Sequence, residues 1–199
     1  VRWDDLFNDL EGQLERELHS EATDLRLQEE RARLDKLSLR TRLSNVVRSV
    51  GLGGTLQLRI VLVSGETIAV RPTALGRDWL AADLPGAGNG RVQCVIPLSA
   101  IAGVVLSDKQ NLASIAVESE STGKLIDRVG FPFVLRDLCR RRRSVELETR
   151  GGVLAGTIDR VARDHLDVAV HPLGTLRRAP EVLHYRLVPL WQIHVIRLG

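Results

Sequence analysis

Four consecutive arginines, Arg140 to Arg143, are the sharpest local charge in the chain, with Arg177 and Arg178 as a second basic pair. Two readings fit this run. At a helix end, exposed cations are favoured by the helix dipole by roughly 0.3–1 kcal/mol each. Alternatively, the six arginines form a patch that contacts phosphates, with binding that weakens steeply as salt rises. An acidic protein surface would meet the same charge. Of the 28 basic residues only Lys36, Lys109 and Lys124 are lysine. An arginine bias of that kind follows genome composition, so arginine richness alone is weak evidence for a nucleic-acid ligand.

The other reactive side chains form no familiar constellation. His19, His165, His171, His184 and His194 lack ligand spacing. Asp164 and Asp167 stand three apart, which in a strand places them on opposite faces. Cys94 and Cys139 have no CxxC spacing and read as core or half-buried thiols. No GxSxG, GxxxxGK[ST] or GxGxxG motif occurs. The expectation is a non-enzymatic protein with no catalytic residue, metal or cofactor.

The charge is unevenly spread. Residues 1–50 carry 9 basic and 11 acidic side chains, residues 51–130 carry 7 and 7, and residues 131–199 carry 12 and 7. No apolar run approaches the roughly 18 residues of a membrane span. The first residues are acidic and amphipathic, unlike a signal or transit peptide. No membrane contact and a cytoplasmic location are therefore expected. The lack of methionine suggests that Val1 stands near a trimmed or alternative start.

The elements that must position these residues fall into four segments. Residues 1–50 form an N-terminal helical extension. Trp3, Leu6, Phe7, Leu10, Leu14, Leu18, Leu25 and Leu34 give a narrow apolar stripe over 2–34. That stripe suits either a partner helix, as in a coiled coil, or packing onto the chain's own domain. Leu39, Leu43, Val46, Val47 and Val50 continue the helical spacing until Gly51. Residues 51–106 are β-rich: paired strands around a Gly65-Glu66 turn, with Pro72 ending the second, then a strand over 78–84, a loop over 86–90 and two short strands broken by Pro97. Residues 107–130 read as a linker or hairpin, with one strand over 112–117. Residues 131–199 start with a helix over 133–143, preceded by Pro132. Strands follow, with a basic loop over 175–179.

The two β-rich segments repeat each other. Gly65, Asp78 and Leu80 recur as Gly151, Asp164 and Leu166, 86 residues on. Pro97, Leu98, Ile101 and Leu106 recur as Pro189, Leu190, Ile193 and Leu198, 92 residues on. The offset grows within a loop, as expected for two copies of one β-module.

A short helix followed by five short, bent strands resembles the Sm-like family, which includes the bacterial Hfq proteins. Gly151 and Gly156 match the turn and bend glycines of its first motif. Val188-Pro189-Leu190 and Ile193 match its second motif. The resemblance covers 132–198 and, less well, 55–106, where Val70 stands in place of Gly156. It implies a mainly β fold with α: two five-stranded bent barrels in tandem behind a long N-terminal helix. It also implies homo-oligomers through strand pairing, and single-stranded RNA as ligand. The family's RNA-reading Lys-His pair corresponds here to Pro97-Leu98 and Pro189-Leu190, which offer no side-chain donor. Rings are few, 7 in all, with Trp79 and Trp191 as stacking platforms or core.

The leading expectation is thus an RNA-associated Sm-like protein binding through Arg140, Arg141, Arg142, Arg143, Arg177 and Arg178. The rival is a scaffold for protein partners whose N-terminal helix mediates dimerisation or docking. The first module reads as the structural or docking copy, the second as the binding copy. A homo-oligomer, as a dimer or a ring, is expected, the alternative being that the two barrels pair within the chain and form no ring.

Overall fold

The computed structural model describes residues 23–50, 57–85, 90–117, 125–175 and 177–199. Residues 2–22 of the helix expected over 2–34, the Gly51 stop and most of the 86–90 loop lie outside them. The chain divides into two compact units, residues 1–39 and 40–199. In the first, residues 23–35 are helical, and Arg33 holds Glu30 through Nε at 2.8 Å. That arginine lowers the Glu30 carboxyl below its ordinary range. The expected helix over 35–50 is not continuous. The helix before it closes with the Lys36 and Leu37 amides donating three residues back, and a new helix, α1, runs Leu39–Val50.

The second unit is built on ten strands: β1 Leu58–Leu62, β2 Thr67–Leu75, β3 Trp79–Pro85, β4 Arg91–Pro97, β5 Ile101–Val105, β6 Ser144–Thr149, β7 Gly152–Val161, β8 His165–Val170, β9 His184–Pro189 and β10 Ile193–Leu198. They form one antiparallel sheet in the order β5-β1-β2-β3-β4-β10-β6-β7-β8-β9. The sheet is open, with β5 and β9 at its edges, rather than closed into two barrels. Two further helices, α2 (Asp108–Ser114) and α3 (Phe131–Arg140), complete the unit.

Two local readings are corrected. Pro72 does not end β2; it sits buried at a register shift between Pro72 and Ala74, where a bulge leaves its missing N–H without cost. The strand expected over 112–117 is instead the end of α2, over 112–114, and the turn that follows it. A capping box decides this: Ser107 Oγ accepts from the Gln110 amide while the Gln110 side chain accepts from the Ser107 amide.

The two halves follow the same path. The bulge at Pro72/Ala74 has its counterpart at Ile158/Arg160, again 86 residues on. In β5 and β10 the shift falls between Ile101 and Gly103 and between Ile193 and Val195, 92 apart. The Gly76 amide donates to the Trp79 carbonyl, and the Ala162 amide to that of His165. The Leu98 amide donates to the Asp78 carbonyl, and the Leu190 amide to that of Asp164. At the bend of β7, a Cβ on Gly156 would overlap the Ala169 carbonyl oxygen of β8. Val70, at the corresponding point of β2, is instead fully buried.

Two cores lie on this framework. The first gathers Leu43, Val46 and Val47 of α1 with Leu58, Ile60, Val70, Leu80 and Ile96. The second gathers Phe131, Leu135 and Leu138 of α3 with Val145, Leu147, Ile158, Leu166 and Val168. The joining strands β4 and β10 are buried on both faces, as alternation allows. Cys94 and Ile96 face the first core while Val95 enters the second; Ile193 and Ile196 face the second while Val195 enters the first. Arg197 of β10 braces the junction through Glu148 at 2.8 Å and Glu146 at 3.1 Å. Burial works against its charge, but the two carboxylates outweigh it and raise its pKa.

Candidate functional site

Helix α3 carries Arg136 at its middle and Arg140 at its C-terminal end, and its own sequence explains why it forms where it does. Phe131, Leu135 and Leu138 recur at helical spacing and are buried, while Pro132 occupies the first turn. The first turn is closed from the other half of the sheet: Asp78 Oδ1 accepts from the Phe131 amide at 2.6 Å. A carboxylate there also complements the helix dipole. At the far end Arg142 adopts φ 51°, the left-handed turn usually given to glycine. The Arg142 amide donates to the Cys139 carbonyl at 3.0 Å and the Arg143 amide to that of Leu138 at 3.3 Å.

Four of the six arginines singled out by sequence gather around two aspartates. Asp137, one turn back on α3, accepts from Arg140 at 2.6 Å and Arg141 at 2.7 Å. Those two guanidinium groups hold its carboxyl below the ordinary range, Arg141 most strongly. Asp159 of β7 takes Arg177 in a two-pronged pair at 2.6 and 2.5 Å, which raises the arginine's pKa. Arg142 lies 3.7 Å from the same carboxylate. Arg143 donates to the Gly199 carbonyl at 3.0 Å. Arg178 is exposed and makes no ion pair among the described residues. The fold thus brings the run and the pair together, with much of their charge answered locally.

The opposite end of α3 was not legible as a cluster. A cleft of about 540 Å³ is lined by Arg77, Arg136, Arg163 and Phe133 among others. All four side chains are exposed. Arg77 comes within 3.7 Å of Asp78, whereas Arg136 and Arg163 make no ion pair among the described residues. The sequence held one clue. Arg77 and Arg163 are 86 apart, each in the turn before the third strand of its half.

The remaining candidates separate. Trp79 is buried, and its Nε1 donates to the Val129 carbonyl at 2.9 Å; Trp191 is exposed. His165 pairs with its neighbour Asp164 at 2.7 Å, which lowers that carboxyl's pKa. His171 is buried against Thr157, 2.9 Å away. Asp167 lies 3.8 Å from Arg160. Among the described residues no His, Cys, Asp or Glu cluster is arranged to hold a metal, and no helix is long and apolar enough to cross a membrane. Both cysteines are free; burial pushes the Cys94 thiol up to about 12. Compared with family models, curated proteins and solved structures, the chain matches none.

Proposed function

We propose that this chain is a tandem Sm-like binding protein that takes single-stranded RNA on the arginine-rich surface around α3, without catalysis. The observation that carries this reading is the strand path. Each half runs fifth-first-second-third-fourth strand behind a helix, and the fourth strand of one half pairs with the fifth of the other. Unpaired guanidinium groups beside an exposed ring provide phosphate contacts and a stacking face. Arg140 to Arg143, Arg177 and Arg178 extend that surface to the other end of the helix. The test is fluorescence anisotropy of a labelled oligoribonucleotide across a salt series. Replacing Arg140 to Arg143 with Ser should weaken binding and flatten its salt dependence. Wild-type affinity in that variant removes the run from the site; no binding by wild-type protein at low salt removes the RNA reading.

A second reading, a protein-interaction scaffold, has its own supporting observation. The edge strand β9 exposes Tyr185 and Leu187, with Leu183 just before it. The internal β4–β10 pairing is a template for joining β9 of one copy to β5 of the next, head to tail. Light scattering of the full chain and of Leu187→Glu tests this. A larger species in wild type that the variant loses supports assembly; monomers in both remove it.

A further inference from the structure

The junction between the halves holds a second cleft, of about 580 Å³, unrelated to α3. Ser64 in the β1–β2 turn and Ser99 after β4 line it from the first half. Arg150 in the β6–β7 turn, Trp191 and Gln192 before β10, and His194 within β10 line it from the second. Its volume is within the range of small-molecule sites.

Three features of this lining point to a ligand. His194 is only 4% exposed, yet its Nδ1 is buried without a hydrogen-bond partner. Buried ring nitrogens are normally satisfied, and His194, whose side chain borders the cleft, has this one left unmade. Trp191 is 67% exposed, so its indole face packs against little of its own chain. Arg150 is exposed and makes no ion pair among the described residues. An exposed indole, one exposed cation and a histidine with an unsatisfied buried nitrogen therefore border a single space.

From this we infer that the junction cleft binds a nucleotide. The base would lie on the Trp191 indole, the phosphate would pair with Arg150, and a polar edge would reach His194 and Gln192. Neither a bare anion nor an apolar molecule uses all three features. The site occurs once per chain, because the positions 92 residues before Trp191 and His194 are Ser99 and Ala102. It arises where the second half's residues face the first half's turns, and it does not depend on RNA binding at α3.

The full chain should be titrated with UMP, AMP, ribose 5-phosphate and inorganic phosphate, and separately with a short oligoribonucleotide. Tryptophan fluorescence and the His194 imidazole NMR signals are the readouts. The expected result is quenching by a mononucleotide, a shifted His194 signal, no response in Trp191→Leu and at least tenfold weaker binding in Arg150→Gln. Both replaced side chains are exposed, so the variants should fold. Saturation by mononucleotides assigns the site to a free nucleotide. Binding of the oligonucleotide alone, abolished in the same two variants, assigns it to one unit of a strand. Equal binding of ribose 5-phosphate or inorganic phosphate overturns the proposal, as does an absence of binding or wild-type behaviour in both variants. Loss of oligonucleotide binding on replacing the α3 arginines, with mononucleotide binding kept, separates this site from that surface.

Discussion

The two ends of α3 hold different numbers of arginines, and carboxylates answer a different share of each set. At the C-terminal end, Asp137 and Asp159 between them engage Arg140, Arg141, Arg142 and Arg177. At the N-terminal end, Arg136 and Arg163 share a cleft with Phe133 and no carboxylate pairs with either among the described residues. Exposed ion pairs add little to stability, with a median near 0–1 kcal/mol. Their larger consequence here is that a phosphate must displace an aspartate at Arg140, Arg141, Arg142, Arg177 and Arg77, but not at Arg136 or Arg163. Four adjacent arginines make the more conspicuous sequence, but Arg136 and Arg163, from separate elements, are the more available charges.

The comparison can be broken or sharpened by graded changes. The largest effect comes from the residue both ends depend on. Leu135 is fully buried in the second core, and Leu135→Ala should cost about 2–5 kcal/mol. Urea denaturation would measure it; a cost below about 1 kcal/mol would show that α3 is not anchored as described. Next, Arg136→Gln with Arg163→Gln should reduce oligoribonucleotide affinity more than Arg140→Ser with Arg141→Ser. The salt slope should fall by about 0.7 for each phosphate that the variant no longer neutralises. Equal reductions from the two pairs would erase the distinction between the ends.

A smaller effect tests the turn. Arg142→Gly relieves a left-handed backbone that costs a non-glycine residue about 1 kcal/mol or more, so the melting temperature should rise. RNA affinity should change little, because Arg142 already faces Asp159. The smallest effect is electrostatic. Asp137 is held below its ordinary pKa, so its contribution is fully present above the unfolded carboxylate range and is lost as pH falls through the lowered native value. Melting curves of wild type and Asp137→Asn should therefore differ at neutral pH and converge in acid. Divergence that grows toward acid would mean that the Arg140 and Arg141 pairs do not stabilise the helix end.

Much of the β framework could be read from residue order. Alternating apolar positions, Gly65 and Pro97 marked strands and breaks, because those signals act over a few residues. The errors arose where a local signal had two outcomes. Pro72 ends a strand or occupies a bulge, and only β3, pairing across it, decides for the bulge. Leu112 to Val117 has strand-like composition, but the Ser107–Gln110 capping box begins a helix upstream. The α1 contacts to that helix, Arg42 with Ser114 and Asn45 with the Ser114 carbonyl, join residues some 70 apart.

By itself the sequence determined most of the strands and the concentration of basic charge after residue 130. Those depend on composition and spacing along one chain. Tertiary structure alone decided which charges remain available. Asp159 reaches Arg177 across 18 residues, and Arg77 reaches the start of α3 across more than 50. It also joined β4 to β10 in an open sheet and set Trp191, Arg150 and His194 around one cleft. Ion pairing and burial are set by distances in space, and strand pairing in a sheet fixes those distances between residues far apart in order.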